Sequence, residues 1–205
     1  MRILCAFFVF AWLWWPAHAH ARTVSIVVGF AAGGTSSIVA QHLKEKLSIA
    51  LGIPVIVVNM PGAGGLIAAD YVRRQPPDGS TILLMSSTTL IWVPPTDELV
   101  PISQVVEFDY VLATDREAAP TTIKAYLESA RSIDSLRVYS SPGFATLPHL
   151  IMEALAAYDP GALVPLRAVP FRGSAPAMLA LLGKHVSATV VPMPDFLPHR
   201  ESVRA

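Results

Sequence analysis

The sequence predicts an α/β protein of two lobes with a cleft between them, and three observations carry that prediction. Short apolar runs of strand type alternate with stretches of helical spacing along most of the chain. The alternation breaks once, between residues 92 and 108, where three prolines fall within ten residues. Glycine-bearing turns follow strands and precede helices in both halves: Gly33-Gly34, Pro61-Gly-Ala-Gly-Gly65, Ser140-Ser-Pro-Gly143 and Phe171-Arg-Gly-Ser174. The organisation read from this is an export signal at 1–21, a first lobe at 22–105 and a second lobe at 106–205.

Residues 24–30 form a continuous apolar strand, as expected in a sheet covered on both faces. Val39, Leu43, Leu47, Ala50 and Leu51 follow at helical spacing, and Gly52 stands where a C-cap glycine belongs. A strand at 55–58, a glycine turn and a helix at 66–74 come next. The turn Pro76-Pro-Asp-Gly79 leads into a strand at 81–85, which completes a βαβαβ unit of parallel strands. The second half alternates strand 110–113, helix 123–130, strand 136–139, helix 147–158, strand 166–169, helix 175–182 and strand 186–191. There Ser174 reads as an N-cap, with Pro176 in the first turn and Gly183 as a C-cap.

Arg2, the apolar stretch 3–15 and the small-residue sites Ala17-His-Ala19 and Ala19-His-Ala21 read as a cleavable export signal. The apolar stretch is shorter than the ~20 residues of a membrane-spanning helix, so no stable membrane anchor is expected. The single cysteine, Cys5, lies inside the signal, which leaves no thiol for a disulfide, a metal site or a nucleophile. The 15 basic residues balance the 15 acidic ones with no basic stripe, which argues against nucleic acid as a partner.

Turns of this kind aim backbone N–H groups and the positive end of a helix dipole at one spot, a fit for an anion. The segment Gly29 to Ser36 nearly spells a phosphate-binding loop, but Thr35 stands where its lysine belongs. Gly62, Gly64 and Ile67 fail the dinucleotide fingerprint at the third position. No Gly-x-Ser-x-Gly elbow is present, and His42, His149, His185 and His199 are scattered. Without a nucleophile, a base and an oxyanion site in one place, an enzyme is not expected, nor a cofactor. Ligands in open α/β sheets bind beyond the carboxyl ends of strands. His149 faces the cleft or lies on a helix surface. Arg172 pairs with a ligand carboxylate or stands exposed beside its turn. Asp195 receives a ligand ammonium or hydroxyl, or caps the following turn.

Several blocks together resemble one family: Val27-Val-Gly-Phe-Ala-Ala-Gly-Gly34, Asn59-Met-Pro-Gly-Ala-Gly-Gly65, Pro77-Asp-Gly-Ser-Thr-Ile-Leu-Leu84, Tyr139-Ser-Ser141 with His149, and Val169-Pro-Phe-Arg-Gly-Ser-Ala-Pro176. The chain is similar to the Bug-type extracytoplasmic solute receptors of tripartite tricarboxylate transporters, in order, over nearly all of 24–199. The resemblance implies a two-lobe periplasmic-binding-protein-like fold (type II). It also implies that the segment returning to the first lobe, present in family members, is missing beyond Ala205. Carried over by residue, the cleft segments are Phe30, Ala31, Gly33, Gly34, Thr35, Ser36, Ser86, Ser87, Ser141, Thr146, His149, Gly173 and Ser174. Ala63 and Gly64 of the second glycine turn, with Arg172 and Asp195, complete the candidate ligand-binding set. The family usually has an acidic residue where Ser37 and Ser187 stand, arginine at Met60 and asparagine at Leu66, and a longer stretch at 92–101.

The expected function is therefore a periplasmic solute-binding protein. Its ligand is a small organic acid: a di- or tricarboxylate, an acidic amino acid or an aromatic acid. It would hand that acid to the membrane permease subunits of a transporter. The alternatives are a ligand-sensing receptor for a membrane signalling partner, and a truncated non-functional remnant.

Overall fold

The computed structural model describes residues 23–92, 98–117, 120–157 and 164–205. The export signal read at 1–21 lies outside them, as do the last residue of the predicted helix 147–158 and part of the proline-rich connection. The first sheet holds β1 (Val24–Val28), β2 (Val55–Asn59) and β3 (Thr81–Leu84) in the order β2-β1-β3, all parallel. Helix α1 (Thr35–Leu51) links β1 to β2, and α2 (Leu66–Arg73) links β2 to β3. The four-residue helix α3 (Ser87–Leu90) follows β3.

Strand β1 explains why this sheet needs cover on both sides. Val24, Ile26 and Val28 pack with Ala40 of α1 and Val55, whereas Val27 packs with Ala68 and Val72 of α2. Ile26, Val27 and Val28 are fully buried, and each such side chain contributes about 1.5–3 kcal/mol. Helix α1 ends as its sequence predicts. Gly52 adopts φ 66° and its N–H donates to the Ser48 carbonyl at 3.0 Å.

The second sheet has five strands: β4 (Tyr110–Asp115), β5 (Val138–Ser141), β6 (Arg167–Pro170), β7 (Ala188–Pro192) and β8 (Val203–Arg204). Their order is β6-β5-β7-β4-β8. Strands β5, β6 and β7 run parallel, but β4 is antiparallel to both β7 and β8. Helices α4 (Ile123–Ser132) and α5 (Leu147–Ala157) cover one face, burying Tyr126, Leu127, Met152 and Tyr139. Helix α6 (Ser174–Leu182) and the short α7 (Met193–Phe196) cover the other, burying Met178, Leu181, Val191 and Phe196. Helix α4 has a side-chain cap, because the Thr122 hydroxyl accepts from the Ala125 N–H at 3.2 Å.

Two expected caps are corrected. Gly173, not Ser174, is the N-cap of α6, and Ser174 is its first helical residue, making no capping bond. The reason lies in Gly173 itself: its φ of 144° is one that residues with a side chain rarely adopt, and a Cβ there would crowd the Ala31 nitrogen of the first lobe at 3.2 Å. Asp195 caps nothing, since it lies within α7 and its Oδ2 is buried without a hydrogen-bond partner. No helix among the described residues is long and apolar enough to cross a membrane.

Candidate ligand-binding site

The lobes face one another through the loops at their strand ends, and those loops touch. The Ala31 N–H, just past β1, donates to the Arg172 carbonyl of the β6–α6 loop at 2.7 Å. The Trp92 indole Nε1 donates to the Ala145 carbonyl of the β5–α5 loop at 2.8 Å. Gly64 approaches so closely that a Cβ there would sit 2.8 Å from the Phe144 carbonyl oxygen. Gly34 is tighter still, with a notional Cβ 2.5 Å from the Ser174 Oγ.

Between these contacts lies a cavity of about 30 Å³, room for about two waters. Its first-lobe wall is Phe30, Ala31, Gly34, Ser36, Ser37 and Ser86. Its second-lobe wall is Phe108, Tyr110, Pro142, Thr146, Pro148, Ser174 and Pro192. Three helices begin at this hollow: α1 behind Gly34, α5 behind Thr146 and α6 behind Gly173. The first-turn N–H groups of a helix have no intrahelical partner, and the dipole there is positive.

Side chains behind the wall hold it in place. Asn59, closing β2, donates from Nδ2 to the Phe30 carbonyl at 2.9 Å, and Ser37 Oγ lies 3.5 Å from its Oδ1. Ser86 Oγ lies 3.1 Å from the hydroxyls of both Thr88 and Thr89, and Thr89 donates to the Gly64 carbonyl at 2.9 Å. In the second lobe, Ser141 and Thr146 both donate to the Gly143 carbonyl, at 3.1 and 2.8 Å. Burial, with the charge of Asp195 behind it, pushes the Tyr110 phenol up to about 12.

Of the residues expected from sequence, Phe30, Ala31, Gly34, Ser36, Ser86, Thr146 and Ser174 line the cavity. Ala63, Gly64 and Gly173 stand instead where the lobes meet or beside that contact. Thr35 is buried in the first turn of α1 with its Oγ1 unpartnered, while Gly33 and Ser87 are exposed. Ser141 is buried beneath the wall. His149 is buried too, its ring 4.7 Å from that of Phe144 and its Nε2 3.9 Å from Glu153 Oε1. Arg172 takes part through its carbonyl, and its side chain is exposed.

Sequence reasoning missed Ser37, Phe108, Tyr110, Pro142, Pro148 and Pro192. The strand-end rule looks to carboxyl ends, but β4 runs antiparallel, so Tyr110 at its start pairs with Pro192 at the end of β7. That pairing brings Tyr110 and the preceding Phe108 to the cavity. Of the two other prolines, Pro142 lies within the marked turn Ser140-Ser-Pro-Gly143, and Pro148 lies in the first turn of the helix that follows it.

A family model described as the tripartite tricarboxylate transporter family receptor, TctC, matches residues 39–204. The chain belongs to this family. Relatives of this chain include the UPF0065 protein in the gbd 5′ region of Cupriavidus necator, 33% identical over 91% of this chain and 59% of that protein. BugT of Bordetella pertussis is 31% identical over 89% of this chain and 58% of its own length. Among solved structures, the periplasmic binding protein BugD superposes with a TM-score of 0.79 at 32% identity, over 90% of this chain and 64% of BugD. MatC from Rhodopseudomonas palustris, solved with bound malate, gives 0.77 at 26% identity, over 90% and 65%. A second R. palustris protein, solved with adipate, gives 0.74 at 25% identity, over 93% and 65%. The two-lobe α/β architecture is that of these solved proteins, and the chain spans less than two thirds of each one's length.

Proposed function

We propose that this TctC receptor works in the periplasm, reached through an N-terminal export signal. There it captures a small organic carboxylate between its lobes and presents it to the membrane subunits of a tripartite transporter. The observation that carries the proposal is the convergence of three helix N-termini, from both lobes, on one hollow. Their amides and dipoles favour negative charge, and the hydroxyls of Ser36, Ser86, Thr146 and Ser174 add hydrogen-bonding groups. Phe30, Phe108 and Tyr110 offer apolar surface for a carbon skeleton. A hydrogen bond to a charged group contributes about 1.5–3 kcal/mol, so four near the upper end give about 12 kcal/mol, which leaves the roughly −8 kcal/mol of micromolar affinity when association costs about 4 kcal/mol.

The hollow in this arrangement accommodates little more than a carboxylate group, so a whole metabolite enters with the lobes further apart and holds them at its own width. Support for the ligand class comes from the neighbours solved with malate and adipate, both dicarboxylates. The test is a thermal-shift screen of di- and tricarboxylates, acidic amino acids and aromatic acids, followed by calorimetry. A ligand at a hundred times its Kd stabilises by about 2.7 kcal/mol, which moves the midpoint by several degrees. A cooperative melt that no acid shifts overturns the proposal.

A further inference from the structure

The cavity wall conceals a charge that its hydroxyl lining does not call for. Asp195 is 9% exposed, its Oδ2 is buried without a hydrogen-bond partner, and it forms no ion pair among the described residues. That oxygen lies 3.8 Å from the point where a side chain on Gly34 would begin, and the Ser174 Oγ lies 2.5 Å from the same point. Gly34 and Ser174 both line the hollow. Tyr110, a third wall residue, feels the charge of Asp195. The carboxylate therefore stands immediately behind the wall, next to the N-terminus of the 17-residue helix α1.

Two basic side chains of this lobe are engaged elsewhere: Lys184 pairs with Asp115, and the Arg116 guanidinium donates to the Arg200 and Val203 carbonyls. A buried carboxylate without a counter-charge is unfavourable, so a cation brought by the ligand would gain most there.

Resting on the carboxylate reading above, we propose that Asp195 makes this receptor select acids bearing an ammonium group next to a carboxylate, that is, α-amino acids. Opposite polarities then stand side by side in one hollow. The N-terminus of α1 takes the ligand's carboxylate, and Asp195, reached as the lobes part, takes the ammonium one carbon away. A hydroxyl at that carbon satisfies the hydrogen bond but not the charge. A plain methylene leaves Asp195 as it is, and a second carboxylate placed there is repelled.

The experiment is calorimetric titration with two matched series, each differing only at the carbon beside one carboxylate. One is aspartate, malate and succinate; the other is glutamate, 2-hydroxyglutarate and glutarate. In the better-fitting series the amino acid binds at least tenfold tighter than the plain diacid, with the hydroxy acid between. Asp195→Asn, which keeps an acceptor oxygen and loses the charge, brings the amino acid to within about threefold of the hydroxy acid. Equal or tighter binding of the plain diacid by the unaltered protein overturns the proposal while leaving the carboxylate reading intact. So does an Asp195→Asn variant that weakens all three members alike. Failure of all six acids to bind overturns the proposal, and if aromatic acids and tricarboxylates fail as well, the carboxylate reading falls with it. Should Asp195→Asn fail to fold, the series on the unaltered protein decides alone.

Discussion

Replacing Gly64 by alanine separates what the fold needs from what closure needs. Two costs arise, and they fall on different states. Gly64 has φ 63°, a left-handed conformation that costs a residue with a Cβ about 1–2 kcal/mol, whether the lobes are together or apart. The new methyl would also stand 2.8 Å from the Phe144 carbonyl oxygen across the cleft. That contact is closer than packing allows, and it exists only when the lobes meet. Overpacking of this kind costs about 1–3 kcal/mol, so the closed arrangement is disfavoured by roughly 5- to 150-fold. The readout is hydrogen exchange at the Ala31 amide, whose N–H bonds the Arg172 carbonyl across the lobes at 2.7 Å. Exchange there accelerates by that factor in Gly64→Ala. The control is Gly79→Ala: Gly79 has φ 78° with nothing within 4 Å of the added methyl. It lowers the melting midpoint through backbone strain alone and leaves Ala31 protected. Equal Ala31 exchange in the two variants would refute the claim that these loops form the closing contact.

Further outcomes are expected from the positions of single side chains. Ser86→Ala removes a hydroxyl from the cavity wall together with its contacts to Thr88 and Thr89; it weakens acid binding several-fold in calorimetry and also costs about 1 kcal/mol of stability. Ser141→Ala costs a similar amount in urea melts but leaves acid affinity unchanged, because its hydroxyl serves only the buried Gly143 carbonyl. Arg172→Ala keeps the backbone carbonyl bonded to Ala31 and alters affinity by less than about twofold. The phenols of Tyr110, Tyr126 and Tyr139 are all raised by burial, with Glu153 adding to the effect at Tyr139. An acid raised in the folded state contributes stability that is full below its unfolded value, near 10, and is lost as pH rises past it. Urea melts from pH 8 to 12 therefore show stability falling above about pH 10, and Tyr110→Phe lessens that fall by the share of the one phenol held at about 12, leaving those of Tyr126 and Tyr139.

Much of the fold is legible in the chain because each element announces itself locally. The unbroken run that becomes β1 announces a strand covered on both faces, and Gly52 marks the end of α1. The glycine turns mark the strand ends where the lobes meet. What stays hidden is set by contacts distant in sequence. The direction of β4 depends on β7 and β8 as partners, and no local pattern records it. Ser174 has the chemistry of an N-cap, but Gly173 takes the role because the first lobe lies against its backbone. The Ser187 hydroxyl is engaged by the Tyr126 phenol at 3.0 Å and by the Leu136 and Val138 carbonyls, a core network that sequence spacing does not reveal. The burial of Asp195 likewise emerges only once α7 packs beneath the cleft.

Two of the contacts where the halves touch are made by polypeptide backbone alone: an amide on a carbonyl at Ala31 and Arg172, a bare α-carbon on a carbonyl at Gly64 and Phe144. That share of the geometry of shutting is written in parts that every amino acid has, guarded by the few positions that must stay without a side chain. The lining, by contrast, is written in hydroxyls and rings that can be exchanged one at a time. A receptor divided in this way can be retuned toward a new cargo while its jaws go on meeting in the same place.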